Sequence, residues 1–145
     1  MSTFDAENAD NLEDIEKQFA VKSVKQLEAY WNLLSSIPGS KLKLTKHDDD
    51  IYNTFIEDFP EYSTAESVKS IKEEDLKSVE GKKRWRAYCE KFNTIEDFNF
   101  GTMLRLKSDE EYTQHNTIFA VRIQFYAFEI ARNRHGLNDW VSEQK

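Results

Sequence analysis

Residues 119–140, FAVRIQFYAFEIARNRHGLNDW, decide the fold class of this chain. At about 100° per residue in a helix, apolar side chains cover most of the circumference, and such a helix belongs in the middle of a domain. One edge is polar and aromatic, and its members are Arg122, Phe125, Tyr126, Glu129, Arg132 and Asn133. Charged side chains on a central helix must pair inside or leave on one side. We predict that the segment 115–135 is the central helix and that this edge is a candidate functional surface.

The composition indicates one mainly helical domain. The chain has 145 residues with 39% hydrophobic and 13% aromatic residues, but only four Gly and two Pro. The aromatic content argues against disorder, and the scarcity of turn residues argues against a sheet of many strands. We therefore predict a disordered acidic tail over residues 1–10 and a single compact helical domain over residues 11–145. It has about six helices and at most a small two-stranded antiparallel ribbon.

Apolar spacing and chain breakers mark the other elements. Helices are predicted over 11–37, 48–59, 63–71 and 73–92. The segments 41–46 and 102–107 alternate polar and apolar residues and could pair as the ribbon, with Leu104 and Leu106 in phase. Gly136 is expected to end the central helix.

Charge is distributed unevenly. The formal net charge is −7, and six acidic residues with no Lys or Arg precede Lys17, so the remainder of the chain sums to −1. An acidic protein repels nucleic acid and anionic membrane and attracts basic proteins. Because Cys89 is alone and no apolar run of signal-peptide or membrane-span type occurs, we expect a cytoplasmic protein, with nuclear presence compatible. The lack of a coiled-coil heptad run favours a monomer.

The sequence contains only weak motifs for catalysis or for binding a metal or nucleotide. Asp48-Asp49-Asp50 contains the D-x-D pattern that can hold a metal on a nucleotide sugar, but an acidic first helical turn is the commoner explanation. The run 82–86, KKRWR, fits either an anion-binding patch or a solvated helix face. The three His have no ligand spacing, and no phosphate-binding loop is present. We expect no catalytic residue, no metal and no cofactor.

Several runs resemble one small eukaryotic family, called polysaccharide biosynthesis domain-containing protein 1. The most specific run is RIQFYAFEIARNRHGLND over 122–139. Shorter matching pieces are QFA (18–20), YW (30–31), PGSKLKLTK (38–46), DIY (50–52), FP (59–60) and FNFGT (98–102). The resemblance extends over roughly residues 15–140.

The resemblance implies a cytosolic chaperone without its own ATPase. Family members are linked to the biogenesis of translation elongation factor 1-alpha and are thought to engage its newly made GTP-binding domain, possibly on the ribosome. On this basis we predict no enzyme activity, and partner binding by the polar edge of the central helix and its surroundings. The predicted partner-binding residues are Arg122, Tyr126, Glu129, Arg132, Asn133, Asn138, Asp139, Asn99, Phe100 and Gly101.

Two alternatives remain open from the residues. The family name suggests an enzyme or accessory factor of sugar-nucleotide or polysaccharide metabolism, which would depend on Asp48 and Asp50. The other alternative is a scaffold protein in which Arg122 and Glu129 form an ion pair that only stabilises the core.

Overall fold

The computed structural model describes residues 24–144, and this range contains seven α-helices and a two-stranded antiparallel sheet. The mainly helical prediction is confirmed, with one helix more than predicted; the acidic tail and the start of the first helix lie outside the described residues. The elements are α1 (24–36), α2 (Asp48–Asp58), α3 (Ala65–Lys69), α4 (Glu73–Lys77), α5 (Val79–Glu90), β1 (Gly101–Arg105), β2 (Thr117–Val121), α6 (Arg122–Arg134) and α7 (Asp139–Ser142). Short 3-10 turns span Gly39–Lys41, Pro60–Tyr62 and Gln114–Asn116.

Helix α6 is the centre of the fold, as its composition predicts. Helices α2, α3 and α5 and both strands pack against it. Its side chains Ile123, Phe125, Ala127, Phe128, Ile130 and Ala131 are all buried. Within the described part of the chain, no helix is long and apolar enough to span a bilayer.

An aromatic cluster joins α2, α5 and α6 on one side of the core. The Phe59 and Trp85 rings stack with centroids 4.2 Å apart, and Phe128 meets the Phe55 and Tyr62 rings edge-on at 5.2 and 5.1 Å. Aromatic pairs of this geometry add about 0.5–1.5 kcal/mol each beyond the burial of their surface. The cluster therefore fixes the positions of three helices relative to one another.

The predicted start of the central helix is wrong, because residues 117–121 form strand β2 and the helix begins only at Arg122. Strand β2 pairs antiparallel with β1, from Gly101 opposite Val121 to Arg105 opposite Thr117. Three of the five strand residues are β-branched, which disfavours a helix and favours a strand. The side chain of Gln124 accepts a hydrogen bond from the Val121 amide at 2.9 Å and so marks the helix start.

The predicted strand over residues 41–46 is also wrong. A 3-10 turn begins the segment, and the carboxylate of Asp48 then accepts hydrogen bonds from the Leu44 and Thr45 amides at 2.8 and 2.7 Å. These amides are therefore committed to a side chain and not to a neighbouring strand. The strand predicted at 102–107 does exist as β1, but its partner is β2.

The single helix predicted over residues 73–92 is two helices that meet at Ser78. The Ser78 hydroxyl accepts a hydrogen bond from the Gly81 amide at 3.0 Å and caps the start of α5. A side chain at Gly81 would place its Cβ atom 2.1 Å from the carbonyl oxygen of Asp75 in α4. Glycine thus allows the two helices to approach closely at this corner.

Gly136 ends α6 as predicted. Its φ of +74° lies in the left-handed region that favours glycine. The Leu137 amide donates to the Arg132 carbonyl at 2.9 Å, and the Gly136 amide donates to the Asn133 carbonyl at 3.0 Å. These bonds satisfy carbonyl groups in the last turn of the helix.

We predict that Gly81→Ala destabilises the protein by about 1–3 kcal/mol, because the new methyl group overlaps the Asp75 carbonyl. In an unobstructed helix the same change would stabilise by roughly 0.5–1 kcal/mol. The free energy of unfolding is measured in urea by circular dichroism. The control is Glu80→Ala, a change at the exposed neighbouring residue. A gain of stability in Gly81→Ala would contradict the close approach.

Candidate functional site

A buried polar network surrounds the carboxylate of Glu129 in α6. Oε1 accepts hydrogen bonds from the Tyr30 hydroxyl at 2.7 Å and from Asn138 Nδ2 at 3.0 Å, and Arg105 Nη2 lies 3.3 Å away. Oε2 accepts from Arg132 Nη1 at 2.8 Å. We call these residues, together with Asn133, the Glu129 network. It joins α1, β1, α6 and the segment before α7.

Both arginines of the network also donate to backbone carbonyls. Arg132 donates from Nε to Val68 O at 2.7 Å and from Nη2 to Leu106 O at 3.0 Å. Arg105 donates from Nη1 to Ser108 O at 2.9 Å. These bonds place the two buried guanidinium groups against backbone carbonyls, so that their N–H groups have acceptors where water cannot reach.

Two aromatic rings cover the Arg105 guanidinium. Its Cζ atom lies 5.4 Å from the Trp31 ring centroid and 5.5 Å from that of Tyr112. The rings stand nearly perpendicular to each other, with their centroids 5.9 Å apart. Trp140 completes the cover, meeting Trp31 at 5.9 Å and donating from Nε1 to Ser108 O at 2.8 Å. Cation–π contacts compensate part of the cost of removing the arginine from water.

The electrostatics of the network follow from one carboxylate between two guanidiniums. Burial alone would raise the pKa of Glu129, but the charges of Arg105 and Arg132 outweigh it and hold that pKa below its usual value. Burial raises the pKa of the Tyr30 hydroxyl well above its usual value, and the neighbouring Glu129 carboxylate adds to the shift. The network is therefore an ionised carboxylate, two cations and a neutral phenol. The side chains of all three charged residues have zero exposure, so the network lies inside the fold and is closed to solvent.

Asn133 and Asn138 connect the network to the Pro38–Ser40 turn. Asn138 Nδ2 donates to Asn133 Oδ1 at 2.7 Å, and a Cβ atom on Gly39 would lie only 2.4 Å from that same oxygen. Beside them, the Asp139 carboxylate accepts from the Ser40 amide and hydroxyl, both at 2.8 Å. The turn after α1 is thereby fixed to the beginning of α7.

Four predicted partner-binding residues, Glu129, Arg132, Asn133 and Asn138, lie inside the protein. Each nitrogen of the Arg132 side chain donates to a group within the chain, and the side chain is fully buried, so a partner protein cannot reach it in this arrangement. The charged edge of α6 faces inward because other elements provide its counter-groups. Their part in partner binding stays a prediction, and the geometry gives them a structural role.

The network also contains residues that the sequence did not single out. The in-phase Leu104 and Leu106 place Arg105 on the opposite, solvent-facing side of a strand, yet Arg105 is fully buried. Tyr30 belongs to one of the pieces that carry the family resemblance, and its spacing of four from buried Leu34 is the signal that could have placed it inside. The ion pair considered between Arg122 and Glu129 does not form, because Glu129 is paired with Arg105 and Arg132.

Arg122 instead belongs to a surface formed by the start of α6 and the loop before β1. The Phe100 carbonyl accepts a hydrogen bond from the Arg122 amide at 2.7 Å, and the guanidinium lies 5.9 Å from the Phe100 ring centroid. Arg122 Nη1 is 3.5 Å from the Tyr126 hydroxyl. We call Asn99, Phe100, Gly101, Arg122 and Tyr126 the Arg122 surface. Asn99 is exposed and the other four are half-buried.

The acidic run at the start of α2 has structural partners. Asp48 is buried, and its carboxylate accepts from the Leu44 and Thr45 amides and from the Thr45 hydroxyl. Asp49 pairs with Arg134 at 2.5 Å. Within residues 24–144, no group of three or more His, Cys, Asp or Glu side chains is placed to hold a metal ion.

We predict that Glu129→Gln lowers the free energy of unfolding by about 3–5 kcal/mol, because it leaves two buried guanidiniums without a counter-charge. The control is Glu57→Gln, which removes the same charge from an exposed position of α2. Urea unfolding at neutral pH measures both. Equal midpoints for the two variants would show that the buried carboxylate is not needed.

The stability difference between wild type and Glu129→Gln should depend on pH. The folded-state pKa of Glu129 is lowered, so its contribution is fully present above the unfolded value of about 4.3 and is lost as pH falls through the folded value. We expect the gap to be constant from pH 7 to about 5.5 and to shrink below about pH 4.3. Urea midpoints of both proteins across this range test it, since the remaining carboxylates are common to both. A gap that widens in acid would contradict the assignment.

Comparison with known proteins identifies the family to which this chain is related. The family model described as "PBDC1 protein" matches residues 15–143. The "Protein PBDC1 homolog" of Saccharomyces cerevisiae is 63% identical over the full length of both chains, and that of Schizosaccharomyces pombe is 49% identical over 96% of this chain and 95% of its own. The human "Protein PBDC1" is 48% identical over 94% of this chain, which spans 57% of the human protein.

A solved structure extends the comparison to the fold. The solution NMR structure of protein yst0336 from Saccharomyces cerevisiae superposes with a TM-score of 0.87, with 63% identity and full coverage of both chains. The family match, the identities and the shared fold lead to one conclusion: this chain belongs to the PBDC1 family.

Proposed function

We propose that this protein is a chaperone without an ATPase of its own that binds newly made translation elongation factor 1-alpha at its GTP-binding domain. The resemblance of the 122–139 run to a family linked to the biogenesis of that factor is the first support. Its second support is a surface suited to holding a protein partner. In this role the protein acts as a cytoplasmic monomer and covers its client until the GTPase fold is complete.

The state of Arg122 is the observation that carries the proposal. Its guanidinium is positioned by Phe100 and Tyr126 but has no carboxylate partner among residues 24–144. Arg132 and Arg105, in contrast, are buried and paired with Glu129 inside the fold. An arginine held between aromatic side chains at a half-buried surface is typical of an interface anchor.

The net charge of the chain and the rigidity of the Arg122 surface also support a role in binding. The client is a basic protein and this chain carries a net charge of −7, so long-range attraction would increase the rate of encounter. The Arg122 surface is held by two backbone hydrogen bonds, from the Arg122 amide to Phe100 O and from the Ile123 amide to Phe98 O at 3.0 Å. A preordered surface loses less conformational entropy on binding.

We predict that Arg122→Ala reduces capture of the client by about fivefold or more, the effect of losing an interface anchor worth over 1 kcal/mol. Elongation factor 1-alpha is translated in a reconstituted system, the tagged protein is recovered, and bound client is quantified by mass spectrometry. Since Arg122 has no ion pair within the described residues, the variant is expected to keep its melting temperature.

The matched control is Lys83→Ala, which removes one exposed positive charge from α5. It should capture as much client as the wild type. Undiminished capture by folded Arg122→Ala would remove the Arg122 surface from the proposal, and absence of the client from every capture would remove the proposed client.

A further inference from the structure

A second surface feature is a groove with an apolar floor between α5 and the loop before β1. Its volume is about 340 Å³, at the small end of ligand clefts, which suits one or two side chains of a peptide. The floor is formed by apolar side chains of α4, α5, the loop and β2, namely Leu76, Trp85, Cys89, Phe98 and Val121. Burial raises the pKa of the Cys89 thiol to about 11, so at neutral pH it is a protonated, weakly reactive wall of the groove.

The rim of the groove is positively charged, although the chain as a whole is acidic. Lys77, Lys82 and Arg86 line it, and Glu90 is the one acidic side chain that residues 24–144 contribute to it. Two other cations of this region are neutralised within the fold, since Arg84 pairs with Glu61 at 2.5 Å and Lys91 with Asp58 at 2.7 Å.

The rim cations that face the groove differ from these paired ones. Lys82 and Arg86 form no ion pair with any residue in 24–144, and both are exposed. Lys77 donates to the Phe119 carbonyl at 2.8 Å, which fixes its ammonium group at the end of the groove near β2. Two unpaired cations on one side of a helix are therefore available to anionic side chains of another molecule.

Exposed apolar side chains lie beside these cations. Val79, between Lys77 and Lys82 in the chain, is 87% exposed, and Phe119 is 48% exposed. Exposed large apolar side chains are a common property of protein interaction sites. The groove thus combines apolar surface for an anchor with charges for residues on either side of it.

We propose that this groove binds a peptide segment of a partner protein in which an apolar anchor residue is flanked by Asp or Glu. The anchor would contact Trp85, Phe98 and Val121 on the floor, and the flanking carboxylates would pair with Lys82 and Arg86. Such charge-assisted pairs add orientation and strength to the apolar contact.

A peptide fits this site better than a nucleic acid does. A single strand needs a continuous cationic track with exposed stacking rings, whereas this rim is interrupted by Glu90 and the Trp85 ring is buried. The proposal does not depend on the identity of the client above. Only Asn99 is common to the groove and the Arg122 surface, and the test below leaves Arg122 unchanged.

The test starts with a displayed library of random dodecapeptides selected on the immobilised full-length protein. We expect the enriched sequences to place an apolar residue between acidic ones. The best peptide is then titrated into ¹⁵N-labelled protein, and amide shifts are expected at Lys82, Arg86, Asn99 and Val121.

Lys82→Glu combined with Arg86→Glu should weaken the affinity by about tenfold or more, because both charge pairs become repulsive. Lys41→Glu combined with Lys46→Glu makes the same change in net charge at exposed residues that do not line the groove, and should alter the affinity less than about twofold.

Four results would overturn the proposal. They are no enrichment of acidic sequences, shifts that map elsewhere, equal weakening by both double variants, or tighter binding of a single-stranded RNA dodecamer that the groove variant abolishes. A fifth such result concerns the chain's own acidic residues. If replacing the acidic residues from Asp5 to Glu16 by their amides moves the groove signals without any peptide, the groove belongs to that segment and not to a partner.

Discussion

The fold depends on one buried carboxylate. Glu129 holds two guanidiniums, a phenol and an amide around it, and these groups come from α1, β1, α6 and the segment before α7. Removing three charges from water is costly, and only close pairing with full hydrogen bonding makes such an arrangement tolerable. A network of this kind adds specificity to an apolar core, because a misplaced α1 or a shifted strand would leave a buried charge without its partner.

The structure separates the residues that hold the fold from those available to other molecules. Arg105 and Arg132 are buried and pair with Glu129, whereas Arg122, Lys82 and Arg86 have no ion-pair partner among residues 24–144. The first group joins elements in the interior; the second lies at the start of α6 and along α5. Sequence position does not distinguish them, since Arg122 and Arg132 belong to the same helix and to the same edge of it.

The sequence predicted the helical class, the central position of α6, the cap at Gly136 and strand β1, because apolar periodicity and glycine chemistry are local signals. It failed where long-range partners decide the outcome. Residues 117–121 are compatible with a helix by pattern and become a strand because β1 is available to pair with them. Residues 41–46 alternate as a strand does, but the Asp48 carboxylate takes their amides. Arg105 looks exposed until Glu129 and the Trp31 and Tyr112 rings are placed around it.

Native-state hydrogen exchange tests most directly whether the Glu129 network joins its elements into one unit. If it does, the amides of Leu34, Leu104, Ile130 and Val141, one from each connected element, open with a single free energy equal to that of global unfolding. In Glu129→Gln, α1 and α7 should then open at a lower free energy than α6. Exchange of α1 or α7 in the wild-type protein at a free energy well below the global value would contradict the account.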